Sequence, residues 1–107
     1  MEMSLTTEDM KREAKSYALD IVTRFSYINR GLTDLGQIQS LSNLVYLNLS
    51  NNKITDISQA VRILPLQVLI ADNNQITQLP MAPQNGSLNY LSLKNNRIAS
   101  VGSVRSL

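Results

Sequence analysis

The chain has 107 residues, with 10 Lys and Arg against 8 Asp and Glu, a net charge of +2 and a pI near 9.2. That describes one small domain with a mild positive excess, not the clustered basic surface that direct nucleic-acid binding needs. Cysteine and histidine are both absent, which removes disulfides, thiolate metal sites and the commonest general base and metal ligand, so no catalytic residue, cofactor or metal is expected.

The N-terminus, MEMSLTTEDMKREAK, is too charged for a secretory leader. No apolar run approaches the ~20 residues of a membrane span. A cytoplasmic protein without a membrane partner is the simplest reading, with nuclear or cytoskeletal placement left open.

Residues 4–21 read as an amphipathic helix, because Met10, Ala14, Tyr17, Ala18 and Ile21 recur on one helical face. Thr6 suits the N-cap with Asp9 three residues on, and Leu5 is placed to meet Met10 as a hydrophobic staple. The apolar face would cover the exposed side of the segment that begins at Val22, so residues 1–21 are expected to form an N-terminal capping helix.

From Val22 onward the chain repeats itself. Leu44–Ile57 (LVYLNLSNNKITDI) returns 22 residues later as Leu66–Leu79 (LQVLIADNNQITQL) and again as Leu88–Val101 (LNYLSLKNNRIASV). Counting from the first residue of each copy, positions 1, 4, 6, 11 and 14 are apolar and position 9 is asparagine: Asn52, Asn74 and Asn96. Val22–Leu35 is an imperfect earlier copy in which Arg30 takes the place of that asparagine. Alternation around positions 3–7 predicts a short strand in each copy, with positions 4 and 6 inward, and identical connections make the strands parallel. The position-9 asparagine carries both a donor and an acceptor, so a stack of three can satisfy backbone groups in the turns. Asn73, one residue earlier, reads as outward and freely replaceable.

The return legs have a period of three: Leu35, Ile38, Leu41, Leu44, then Ile57, Ala60, Ile63, Leu66, then Val101, Val104, Leu107. That is the 3₁₀ repeat, whose i and i+3 side chains eclipse. Pro80, Pro83 and the Asn85-Gly86 pair predict an irregular loop in the third leg.

Residues 22–107, with repeats starting at Val22, Leu44, Leu66 and Leu88, resemble the short, 22-residue class of leucine-rich repeat proteins. That class includes the regulatory subunit of type-1 protein phosphatase, the axonemal dynein light chain and the spliceosomal A-prime protein. The resemblance implies an α/β solenoid with a curved parallel sheet of about four strands on its concave face, 3₁₀ turns on its convex face and no catalytic residue.

Outward strand positions form columns across the sheet: Arg24, Tyr46, Val68, Tyr90 at position 3; Ser26, Asn48, Ile70, Ser92 at position 5; Ile28, Ser50, Asp72, Lys94 at position 7. Tyr46, Val68, Ile70 and Tyr90 are expected to lie together without being needed by the core, the mark of a partner site for a protein or peptide. Arg24, Asn48, Asp72, Ser92 and Lys94 form its polar surroundings, with Asp72 and Lys94 read as a cross-strand ion pair. The alternatives are an architectural or scaffold segment of a larger protein, or an adaptor in a ribonucleoprotein. The array is expected to continue beyond Leu107 or to self-associate through an uncapped C-terminal end.

Overall fold

The computed structural model describes residues 3–78 and 87–98. Its centre is a four-stranded parallel sheet in simple sequence order: β1 (Arg24–Ser26), β2 (Tyr46–Asn48), β3 (Val68–Ile70) and β4 (Tyr90–Ser92). Arg24 pairs with Tyr46, Tyr46 with Val68, and Val68 with Tyr90, so the 22-residue sequence period is also the strand register. Two return legs contain single 3₁₀ turns, at Ile38–Ser40 and Ala60–Arg62. The loop expected through Pro80 and Pro83, the return leg with Val101, Val104 and Leu107, and the C-terminal edge lie outside the described residues.

The core is a stack of equivalent apolar layers. Leu47 and Leu69 from the strands, Leu49 just after β2, Leu32, Ile54 and Ile76 after the turns, and the three-residue ladders Leu35–Ile38–Leu41–Leu44 and Ile57–Ala60–Ile63–Leu66 are all buried. Small Ala71 occupies position 6 of the third copy and is also fully buried. The fourth copy departs from the expected pattern: Leu91, read as inward, is 40% exposed. Among the described residues it has a strand neighbour, Leu69, on one side only.

The N-terminal helix is shorter than its sequence pattern predicts. α1 spans Thr7–Ala14, and Lys15 then adopts a left-handed conformation (φ 55°, ψ 43°), with the Ser16 N–H bonded to the Lys11 carbonyl. Beyond it the Ser16 hydroxyl accepts from the Ala18 N–H, a local bond that competes with continued helix. A separate 3₁₀ turn, Leu19–Ile21, leads into β1. Met10 stays buried and Ala14 packs against the core, whereas Tyr17 and Ile21 are 96% and 69% exposed. The reversal needed to deliver Val22 to the sheet outweighs the helical periodicity of those two residues.

The helix start has the expected chemistry. Thr6 Oγ1 accepts from the Asp9 N–H at 3.1 Å, and Asp9 Oδ2 accepts from the Thr6 N–H at 3.2 Å. The Thr6 hydroxyl, its backbone N–H and the Arg12 guanidinium hold the Asp9 carboxyl below its ordinary range, and the Ser58 hydroxyl and N–H do the same for Asp56. Because both folded-state values are depressed, the stability they confer is full above the unfolded carboxylate range near about pH 4. It is lost as pH falls through the lower folded values. Asp9→Asn combined with Asp56→Asn should therefore flatten the acid side of a denaturation-midpoint-versus-pH curve. An unchanged acid slope would show that other carboxylates dominate.

Ahead of the helix lies an element with no counterpart in the sequence reading. Residues 4–6, expected to be helical, instead run extended beside the start of the first return leg, where Ser4 and Asp34 form a parallel bridge. The Leu5 N–H donates to the Asp34 carbonyl at 3.2 Å, and the Gln37 N–H donates to the Leu5 carbonyl at 2.9 Å. Leu5 is thereby buried under the first repeat. Arg30 adds a second tie: its guanidinium lies 2.6 Å from Glu13 of α1 and 4.6 Å above the Tyr27 ring. The substitution that makes the first repeat imperfect thus docks the cap.

Candidate partner-binding face

The turns that end the strands fix where this face stops. Asn29, Asn51, Asn73 and Asn95, at position 8 of each copy, all have φ near +60°, a region that asparagine tolerates better than other non-glycine residues. Asn73 is therefore not freely replaceable, contrary to the sequence reading, and its side-chain oxygen also accepts from the Asn95 amide. Position 9 then points inward. Asn52 donates to the carbonyls of Tyr27, Leu49 and Ser50 and accepts from the N–H groups of Arg30 and Leu32. Asn74 donates to the carbonyls of Leu49, Ala71 and Asp72 and accepts from Ile54. Asn96 donates to the Ala71 and Lys94 carbonyls and accepts from Ile76.

This ladder holds the strands in register, and the outward columns result from it. Tyr46, Val68 and Tyr90 are adjacent in one row, with Asn48, Ile70 and Ser92 in the next. Tyr90 is 52% exposed, while Tyr46, Val68 and Ile70 are half-buried on the surface. Arg24 lies over the Tyr46 ring at 4.1 Å, a cation–π contact that stiffens the tyrosine and covers one of its faces. The Asn48 amide reaches the Tyr46 hydroxyl at 3.4 Å, and its oxygen accepts from the Ser50 N–H.

Two polar assignments change. Ser92, expected to face a partner, is buried, and its hydroxyl donates to Asp72 at 2.7 Å. Asp72 and Lys94 form no side-chain ion pair among the described residues: the same Asp72 oxygen accepts from the Lys94 backbone N–H at 2.8 Å. Asp72 is thus used to hold β4 against β3, and the Lys94 ammonium is left to solvent. Ile28, at position 7 of the first copy, is 39% exposed and extends the apolar surface beside Asn48 and Ser50. Its column marked it in the sequence, but its neighbours there are polar.

Among the described residues no helix is long and apolar enough to cross a membrane, and no group of His, Cys, Asp or Glu is arranged to hold a metal ion.

Residues 24–61 match the family profile of leucine-rich repeats in two copies. Among solved structures, the chain is similar to an internalin (inlF) from Listeria monocytogenes str. 4b F2365, with 28% sequence identity and a TM-score of 0.73 over 88% of this chain. It spans 30% of the internalin chain. No curated protein sequence matches. With the repeat period, the strand register, the family match and the structural neighbour in agreement, the chain is a leucine-rich-repeat solenoid.

Proposed function

We propose that this solenoid is a protein-recognition module whose concave sheet face binds a protein or peptide through Tyr46, Val68, Ile70 and Tyr90. The observation that carries the reading is the adjacency of these four side chains on a face the core does not use, with Tyr90 half exposed. Leucine-rich repeats as a class, and the internalin neighbour, support an interaction role in general. Four strands ~4.8 Å apart span only ~15 Å, less than a standard interface of ~800 Å² per partner requires. The bound element is accordingly a segment of chain, or a larger partner that also grips the turns.

Tyrosine offers a large, stiff contact area with a polar tip. Tyr46→Ala combined with Tyr90→Ala should weaken binding to a partner isolated with the wild type by about tenfold or more. The melting temperature should shift little, since the folding loss comes from the partly exposed ring contacts, the long Asn48–Tyr46 hydroxyl bond and the Arg24–Tyr46 contact, the last worth about 0.5–1 kcal/mol. Full affinity in the double variant would move recognition off this face.

A further inference from the structure

The concave-face reading leaves the chemistry of the partner open, and the charges around the patch address it. Between residues 22 and 98 the only carboxylates are Asp34, Asp56 and Asp72. Asp34 and Asp56 open the return legs, away from the sheet, and each caps its own turn by accepting from the N–H of Gly36 or Ser58. Asp72 is the one acid at the sheet face, and one of its oxygens already accepts from Ser92 and Lys94. The stretches 79–86 and 99–107 contain no Asp or Glu.

Four cations stand at or beside the face. Arg24 flanks the patch on β1, Lys94 flanks it after β4, and Lys53 and Arg97 stand on the adjoining turns, all four exposed. The ion pairs among the described residues are Lys11–Glu8, Arg12–Asp9 and Arg30–Glu13. None of the four face cations is neutralised by one of them. A net charge of only +2 thus conceals a separation in which the patch and its turns are positive, while five of the eight acids lie in residues 1–20 and Asp34 and Asp56 stand on the return legs, the second of which also carries Arg62.

From this complementarity, and resting on the concave-face reading above, we infer that the partner is an acidic polypeptide segment: an extended apolar stretch with carboxylates at both ends. Arg24 and Lys94 lie on a diagonal of the face, three strand spacings across and four residues along, about 20 Å in all. An extended segment of about six residues spans that distance. Its apolar side chains meet Val68, Ile70 and Tyr90, and its terminal acids meet Arg24 and Lys94. A nucleic acid fits less well. Stacking needs free aromatic faces, and one face of Tyr46 is already taken by Arg24, while aliphatic Val68 stands between the two tyrosines.

Fluorescence anisotropy on the intact chain tests this with two labelled peptides sharing a valine–isoleucine–valine centre, one flanked by glutamates and the other by lysines. The acid-flanked peptide should bind about tenfold or more tighter at low salt. That advantage should shrink as salt rises and reverse in the Arg24→Glu, Lys94→Glu variant. Lys53→Glu with Arg97→Glu, which leaves the Tyr46 stack intact, should reduce it as well.

Equal binding of the two peptides that is lost in the Tyr46→Ala, Tyr90→Ala variant would overturn the acidic-partner inference and leave the concave-face site standing. Binding that survives the double tyrosine variant would overturn the site itself. Tighter binding of an oligouridylate than of the acid-flanked peptide, or no binding of any probe, would also overturn the inference.

Discussion

Asn52→Ala is expected to lower folding stability by about 4 kcal/mol, more than the same change at Asn74. The two asparagines have equivalent positions, and the difference lies in what else their partners bond to. When Asn74 is removed, the Leu49, Ala71 and Asp72 carbonyls each keep another donor, from Asn52, Asn96 and the Asn51 N–H respectively. Only the buried Ile54 N–H loses its acceptor, so about 2–3 kcal/mol covers one orphaned donor and several weakened bonds. Asn52 serves a turn that has no asparagine of its own, because Arg30 occupies that place and points to the cap instead. Without Asn52 the N–H groups of Leu32 and Arg30 and the Tyr27 carbonyl are all left without partners among the described residues. Asn73→Ala should cost about 1 kcal/mol through its left-handed backbone, and Asn73→Gly almost nothing. Urea denaturation of the four variants gives the order directly. Equal losses at Asn52 and Asn74 would mean that the first turn does not depend on its neighbour in this way.

The repeat region was legible because a solenoid writes its structure into spacing. Each strand, each inward leucine and each column of the concave face recurs at the same interval, so parity along one copy placed Tyr46, Val68, Ile70 and Tyr90 side by side. What escaped was structure made by backbone groups or by short polar side chains. Met3–Thr6 pairs with the first repeat mainly through main-chain bonds, joined by the Thr33 hydroxyl, and these leave no periodic trace. The strand pattern points Ser92 and Asp72 outward toward a partner, yet a serine hydroxyl and a carboxylate one strand apart satisfy each other first. Lys15 ends α1 in a conformation for which lysine has no special preference, so nothing in the local sequence announced the stop. Asn73 could have been read correctly: an asparagine stands at position 8 in all four copies, including the first, where position 9 is not asparagine, and a tight left-handed turn explains that choice.

One sequence signal for the N-terminal strand segment does exist, and it supports the second large prediction. Gly36 stands in the first return leg where the second has Ser58, although both legs open with the same aspartate-capped turn, at Asp34 and Asp56. The structure supplies the reason: a Cβ at residue 36 would lie 2.1 Å from the Leu5 carbonyl oxygen and 2.8 Å from its nitrogen, and the backbone there has φ +56°. Those obstacles are main-chain atoms of the docked segment and cannot rotate aside. Gly36→Ala must therefore either strain the turn or displace residues 3–6, and displacement strips Leu5 from the core, about 1.5–3 kcal/mol of burial, and removes the Thr6 cap of α1, about 1 kcal/mol more. A loss of about 3 kcal/mol or more is expected. Gly31→Ala is the control, since Gly31 also has positive φ (+69°) but open space around its would-be Cβ, so only the left-handed penalty of about 1 kcal/mol applies. Native-state hydrogen exchange should show where the damage falls: in Gly36→Ala the amides of Leu5 and Met10, together with Gln37, lose protection, while those of β2 and β3 keep theirs. Equal destabilisation by the two substitutions, or protection lost uniformly along the solenoid, would mean that the N-terminal segment is not seated against Gly36.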